Sequence, residues 1–389
     1  MVVSAPERLA LAREVAARLA TGPGVTSAFV AGSLAVGLGN HTSDVDVHLA
    51  GPSLEPGREQ VFAGPVRVDV HRIPTAALAE TVRRVVAATL RSDDGADVVA
   101  DRDVTTAVRL HGGEIVVDGG AAGLRRTLRE HDLTLRRLVI TRWLNLAHYG
   151  QEDLAGLIDE PRDADSATMV ARLLLRTAGK ALAAACGDLF PGEKWVWRQL
   201  DRSAPAGFPH DRFRRLLRAD PLADGPPADT PLTDDPLADG PLADDPLADD
   251  PLADDPLADT PDAVRLADLR RFAQTCLAAT AALGWHGVAM ARWPRWLAGD
   301  GPLRRAAELS VRAYADGVVL TRPDSRRVRL SHAAALVWAL CDGVDAATLR
   351  RDVAGLGAAH APAGELTPAR VTELVDRLLA AGLVTGGPA

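Results

Sequence analysis

The spacing of hydrophobic positions along this chain changes several times, and each change predicts a new element. Residues 6–20 place apolar side chains at helical intervals, and Val25–Ala31 follow as a short apolar strand ending on Gly32-Ser33. Val45–Leu49 and Val66–Ile73 alternate with the period of two that strands require, and Pro74 stops the second. Ala76–Leu90 returns to helical spacing. A helix–strand pair is predicted over about 102–118, closing at Asp118-Gly119-Gly120. From about 121 to 218 the pattern is helical, with breaks near Glu160-Pro161 and Phe190-Pro191-Gly192.

The periodicity then collapses into a repeat. Pentads of the type PLADD run in register from Pro221 to Thr260, with a proline every fifth residue. Such spacing forbids a continuous helix or a central strand, and one leucine per pentad among aspartates cannot build a core. The expectation is a disordered acidic insertion at 221–260, in preference to a solenoid, because the pentad offers no stacking face. Helical spacing resumes at Ala263–Leu283, so the repeat is expected to interrupt one helical layer that also includes Phe213–Leu217. Gly299-Asp300-Gly301-Pro302 reads as the next boundary. Beyond it, a strand–turn–strand unit over Ser310–Leu330 precedes helices near 331–341, 346–354 and 367–381. The predicted class is α+β: a mixed sheet with a helical subdomain, then a winged-helix-like unit of short sheet and three helices. The corresponding division is 1–120, 121–298 and 305–387.

Charge changes this picture in one respect. The 389 residues carry a formal charge of −8, but the pentads hold twelve aspartates and no Lys or Arg, so the remainder stands at +4. That mild basicity helps attract an anionic substrate, yet without a dense basic run it argues against nucleic acid as a partner. Cys186, Cys276 and Cys341 lack metal-ligand spacing, and no apolar run reaches about 18 residues. A cytoplasmic protein that does not span a membrane is expected.

The candidate chemistry sits at the front of the chain. A strand delivers Gly32, where backbone amides can approach a phosphate without an intervening Cβ, and Ser33 adds a hydroxyl. Ten residues later comes Asp44-Val45-Asp46, and alternation points Asp44, Asp46 and His48 to one side of a strand. Carboxylates so placed suit Mg²⁺, a hard cation that prefers oxygen ligands and keeps substrate phosphates in its shell. Asp69, mid-strand between valines, is costly unless paired or metal-bound, and makes a third carboxylate for a metal or for proton transfer. His48 and His71 follow the acids at even spacing and are read as packed or exposed side chains in preference to ligands.

The ordered set of strand, Gly-Ser, Asp-x-Asp and a later strand carrying Asp69 resembles the nucleotidyltransferase superfamily of polymerase β, the minimal nucleotidyltransferases and the antibiotic-adenylylating enzymes. The resemblance covers roughly residues 10–120. It implies catalytic and metal-binding roles for Asp44, Asp46 and Asp69, nucleotide contacts from Gly32 and Ser33, two Mg²⁺ ions (or Mn²⁺ in their place) and an NTP co-substrate. Many minimal members carry an arginine four residues after the glycine, and here that position is Val36. Similarity of the helical half to antibiotic-modifying members implies Arg176, Lys180 and Lys194 as phosphate contacts.

At the far end, a strand ending in Leu330-Ser331, a helix reaching Trp338, Leu340-Cys341-Asp342-Gly343 and two further helices resemble PqqD-like domains. These bind leader peptides of ribosomally made, modified peptides. The resemblance implies peptide contacts at Arg327, Val328, Arg329 and Leu330 on a sheet edge, and at Leu374 and Leu378 on the last helix. A generic winged helix for DNA binding or dimerisation is the competing reading. Together the two units point to nucleotidyl transfer onto a leader-bound precursor peptide. The alternatives are a small-molecule, antibiotic-type transferase and a non-catalytic regulatory protein on the same fold.

Overall fold

The computed structural model describes residues 3–92, 99–158, 160–218 and 261–386. The acidic pentads, and with them the expectation of disorder, lie outside the described residues.

The first helix, α1 (Ala5–Leu19), starts at a capping box in which Ser4 and Glu7 satisfy each other's backbone amides. It covers one face of a five-stranded sheet made of β1 (Ser27–Ala31), β2 (Val45–Gly51), β3 (Gly57–Ala63), β4 (Val66–Pro74) and β5 (Glu114–Val117), ordered β3-β4-β2-β1-β5. The β2–β4 pair is parallel and the other pairs antiparallel, so the sheet is mixed as expected. Alternation assigns the faces: Val45, Val47, Val68 and Val70 pack with Ala12, Val15 and Ala16 of α1. Each valine so buried contributes about 1.5–3 kcal/mol relative to exposure. Strand β3 was not foreseen. It is a half-solvated edge strand whose sequence opens Gly-Arg-Glu-Gln, without the apolar alternation that marks a buried strand.

The opposite face meets the helices. One turn, α2 (Gly32–Ala35), follows β1 directly, and α3 (Thr75–Val86), α4 (Asp101–Gly112) and α5 (Ala121–Glu130) flank the sheet. The helical layer is α6 (Asp132–Leu157), α7 (Ala164–Ala185), α8 (Val196–Ser203), α9 (His210–Arg218) and α10 (Pro261–Ala282). Helix α6 ends at Leu157 and α7 at Ala185, each just before the prolines that predict a break, Pro161 and Pro191. The α6, α7 and α10 helices pack against one another as its centre.

The last unit contains β6 (Leu303–Arg305), β7 (Ser310–Tyr314), β8 (Gly317–Thr321), β9 (Arg327–Leu330), α11 (His332–Leu340), β10 (Asp342–Val344), α12 (Ala346–Leu356), α13 (Ala361–Gly364), α14 (Pro368–Ala380) and β11 (Val384–Thr385). Two three-stranded sheets result, β10-β6-β11 and β7-β8-β9. One hydrophobic core runs from the sheet through the helical layer into this unit. Polar contacts reinforce the join: Arg305 is buried and paired with Asp342 at 2.7 Å, Thr275 of α10 donates to the same carboxylate, and Gln274 donates to the Ala306 carbonyl. Gly299-Asp300-Gly301-Pro302, read from sequence as a boundary, is hydrogen-bonded into β10 through Gly299 to Asp342 and Gly301 to Gly343. Gly343 has φ +68°, and a Cβ there would stand 1.9 Å from the Gly299 carbonyl oxygen, so glycine alone permits this approach. Among the described residues no helix is long and apolar enough to cross a membrane.

Candidate active site

The parallel register sets Asp46 directly opposite Asp69, with Val45 opposite Val68 and His48 opposite His71. Asp44, one residue before β2, continues that alternation and meets Arg67, which donates to its Oδ1 at 2.6 Å. Asp44, Asp46 and His48 therefore share the face of Arg67, Asp69 and His71, away from α1.

Asp69 is buried, and its Oδ2 accepts from Arg58 of β3 at 2.8 Å, while Arg67 lies 3.7 Å from Oδ1. Burial works against the carboxylate, but the Arg58 hydrogen bond and charge, with Arg67 and Gln60 behind them, outweigh it and hold the group below its ordinary pKa. Asp69 Oδ1 has no hydrogen-bond partner although it is shielded from solvent. Asp46 lies 3.6 Å from His71 Nε2. His48 is stacked between Phe29 and His71 at ring separations of 4.7 and 4.5 Å. Burial, followed by the nearby His71 and Arg109, keeps His48 well below its ordinary pKa and therefore neutral.

Gly32 closes the site from the β1 side. It has φ +82°, and a Cβ there would fall 2.1 Å from Asp46 Oδ2. The loop after it is anchored by the helical layer: Arg198 donates to the Leu38 carbonyl at 2.9 Å and Arg202 to the Val36 carbonyl at 2.5 Å. Between loop and layer opens a cleft of about 480 Å³, lined among others by Gly32, Val36, Arg109, Asp188 and Arg202. Cys186 also faces it, but burial pushes that thiol up to about 12, so it stays protonated at neutral pH.

The carboxylate pair fits a hard divalent cation. Mg²⁺ is commonly bound by one or two carboxylates completed by water and substrate phosphates. Asp46 and Asp69 supply two, and Asp69 Oδ1, which accepts no hydrogen bond, keeps lone pairs for a ligand. Among the described residues no three His, Cys, Asp or Glu side chains are gathered to cage a metal by themselves. Asp44 is exposed and engaged by Arg67.

The expected phosphate contacts fare differently. Lys180 is buried, not presented to the cleft: its ammonium donates to the Phe190 and Gly192 carbonyls and to Gln199, and lies 5.3 Å from the Trp143 ring centroid. Burial pulls it down to about 7. Its place is that of a brace for the 190–192 turn, which corrects the expected role. Arg176 pairs with Glu193 at 2.7 Å, and Lys194 is exposed beside the Trp195 ring. Ser33 is buried in α2 next to Gly32. Sequence reasoning missed Arg58, Arg67, Arg109 and Arg202. Arginine abounds in this chain, and only the fold singles these out.

In the last unit, Arg327, Val328, Arg329 and Leu330 form β9, the outer strand of β7-β8-β9, as expected for a sheet edge. Leu374 and Leu378 are not available to a ligand. They are buried on the face of α14 that packs into the core with α11 and α12, because their i, i+4 spacing continues the apolar stripe of Val371 and Val375. An apolar groove of about 330 Å³ lies instead between α12 and α14, lined by Leu349, Val371 and Leu379. The β7–β8 turn also touches the first unit: Ala315 donates to the Leu90 carbonyl at 2.8 Å, and Asp316 accepts from Ser92 and pairs with Arg329.

No protein-family model matches the chain, and no curated protein does. A solved structure, a nucleotidyltransferase-like protein from Exiguobacterium sibiricum 255-15, is similar over 54% of this chain at 14% identity and a TM-score of 0.29. The similarity covers 66% of that protein, just under two thirds of its length.

Proposed function

We propose that this chain is a nucleotidyltransferase that moves a nucleoside monophosphate from an NTP to an acceptor oxygen. The observation that carries the reading is the Asp46–Asp69 pair, side by side in register on parallel strands beside Gly32, with Asp69 Oδ1 accepting no hydrogen bond. Asp46 and Asp69, with Asp44 once released from Arg67, are the residues that would hold Mg²⁺. When bound, the ion would supply charge neutralisation for the phosphates and the leaving group. Asp69, held below its ordinary pKa, is a weak proton acceptor and suits cation binding better than base catalysis. Gly32 lets the backbone approach the phosphates closely. In the overall change the acceptor oxygen bonds to the α-phosphorus, pyrophosphate leaves and the acceptor's proton passes to solvent.

The acceptor we favour is a peptide added to the free edge of β9, the arrangement that the PqqD-like resemblance implies. Support comes from the outer position of β9 and from Asp316, which connects Arg329 on that strand to Ser92 of the first unit. The test is incubation of the protein with each NTP, Mg²⁺ and candidate precursor peptides, read by mass shift and pyrophosphate release. An increment of one nucleoside monophosphate, absent in Asp46→Asn, supports the proposal. No product with any NTP under Mg²⁺ or Mn²⁺ overturns it.

One observation favours a second reading. Arg58 and Arg67 occupy the carboxylates with guanidinium groups, as a non-catalytic nucleotide-binding protein could tolerate. Nucleotide binding that is indifferent to Mg²⁺ and yields no pyrophosphate would select it.

A further inference from the structure

Arg109 sits near the C-terminal end of α4, half-buried, in the cleft beside Gly32. Among the described residues its guanidinium has neither a hydrogen bond nor an ion pair. Its neighbours are compensated: Arg202 pairs with Asp188 at 2.6 Å, and His111 lies 3.3 Å from Asp132. The Arg109 guanidinium therefore faces the cleft with five donors that no protein group takes up, a ready partner for an anion.

The lining explains which anion fits. Gly32 and Gly112 leave backbone open on the cleft wall, and Val36, which faces the same space, brings no charge. A chain of phosphates running from the Asp46 side past Gly32 would meet Arg109 as the uncompensated cation of the cleft. Guanidinium groups bind phosphate oxygens in a bidentate manner, which an isolated ammonium cannot copy.

Resting on the nucleotidyltransferase reading, we propose that Arg109 is the residue that recognises the polyphosphate chain of the substrate, so that the cleft selects triphosphates over monophosphates. The test measures binding of an NTP, the matching NMP and inorganic tripolyphosphate to the full chain, Arg109→Ala and Arg109→Lys by calorimetry, with pyrophosphate release assayed in parallel. Arg109→Ala is expected to weaken NTP and tripolyphosphate binding at least about ten-fold, to leave NMP binding within about two-fold, and to keep the melting temperature. Arg109→Lys should recover part of the loss. Unchanged NTP affinity in Arg109→Ala, or no polyphosphate binding by the wild-type chain, overturns the proposal. Arg109-dependent binding without any pyrophosphate release would sink the transfer reading alone and leave this one standing.

Discussion

Arg67 stands two residues before Asp69 on β4 and donates to Asp44 at 2.6 Å, so one guanidinium spans two carboxylates of the candidate metal site. The arginine and a divalent cation compete for the same charge. Because Arg67 and Asp44 are both solvent-exposed, their pairing is worth at most about 1 kcal/mol. Arg67→Ala should therefore tighten Mg²⁺ binding about five-fold, measured by titration calorimetry. Unchanged or weaker binding would place the cation elsewhere.

Asp46 and Asp69 differ in their surroundings, and their variants should differ too. Asp46→Asn is expected to lower transfer by at least about a thousand-fold with little change in melting temperature. Asp69→Asn should lose as much activity and also destabilise the sheet edge, because Arg58 then loses its charged partner on β4. Pyrophosphate release and thermal melts separate the two effects. Retained turnover in Asp46→Asn would refute the site.

Gly32→Ala is a smaller change with a large expected effect. The added Cβ meets Asp46 Oδ2, and φ +82° is strained for any L side chain. A loss of about 1–3 kcal/mol in stability and at least about a hundred-fold in activity is expected, from chemical denaturation and steady-state rates. Full activity would show that the loop does not abut the reacting groups.

The carboxylate constellation was legible in the sequence because strand alternation is a strict rule: valines at 45, 47, 68 and 70 go one way, and the acids go the other. What went unread was whatever depends on neighbours distant in sequence. Arg58 lies on a polar edge strand that no hydrophobic period announces. Lys180 carried a phosphate role by resemblance, and a resemblance does not say which way a helix faces. Gly299-Asp300-Gly301-Pro302 reads as a boundary by composition, and the pairing of its Gly299 and Gly301 amides with β10 depends on residues distant in sequence. Leu374 and Leu378 carried a resemblance-based role, and their apolar spacing already marked them as core.

The Arg305–Asp342 pair, joined by Thr275, ties the last unit to α10 inside one core. Removing one partner of a buried pair strands the other charge, at a cost of about 3–5 kcal/mol. Arg305→Ala should lower stability by that amount and keep one cooperative transition in calorimetry. A separate melt of residues beyond 302 would contradict the shared core.

Lys180 gives a pH dependence with a defined sign. Its pKa is about 7 in the folded chain against an ordinary 10.5, because burial disfavours the charged form. Between those values the unfolded chain keeps a proton that the folded chain has released, so raising the pH favours folding. Below about pH 7 both states are protonated and the contribution is flat. The stability difference between wild type and Lys180→Met should therefore move in favour of wild type from about pH 7 to 10, by about 1.4 kcal/mol per pH unit at its steepest. Denaturant titrations at several pH values read it directly. Because Lys180 spends its donors on Phe190, Gly192 and Gln199, the same variant, where folded, should keep its NTP KM within about three-fold. A ten-fold rise in KM with no pH-dependent stability difference would return Lys180 to the phosphate site.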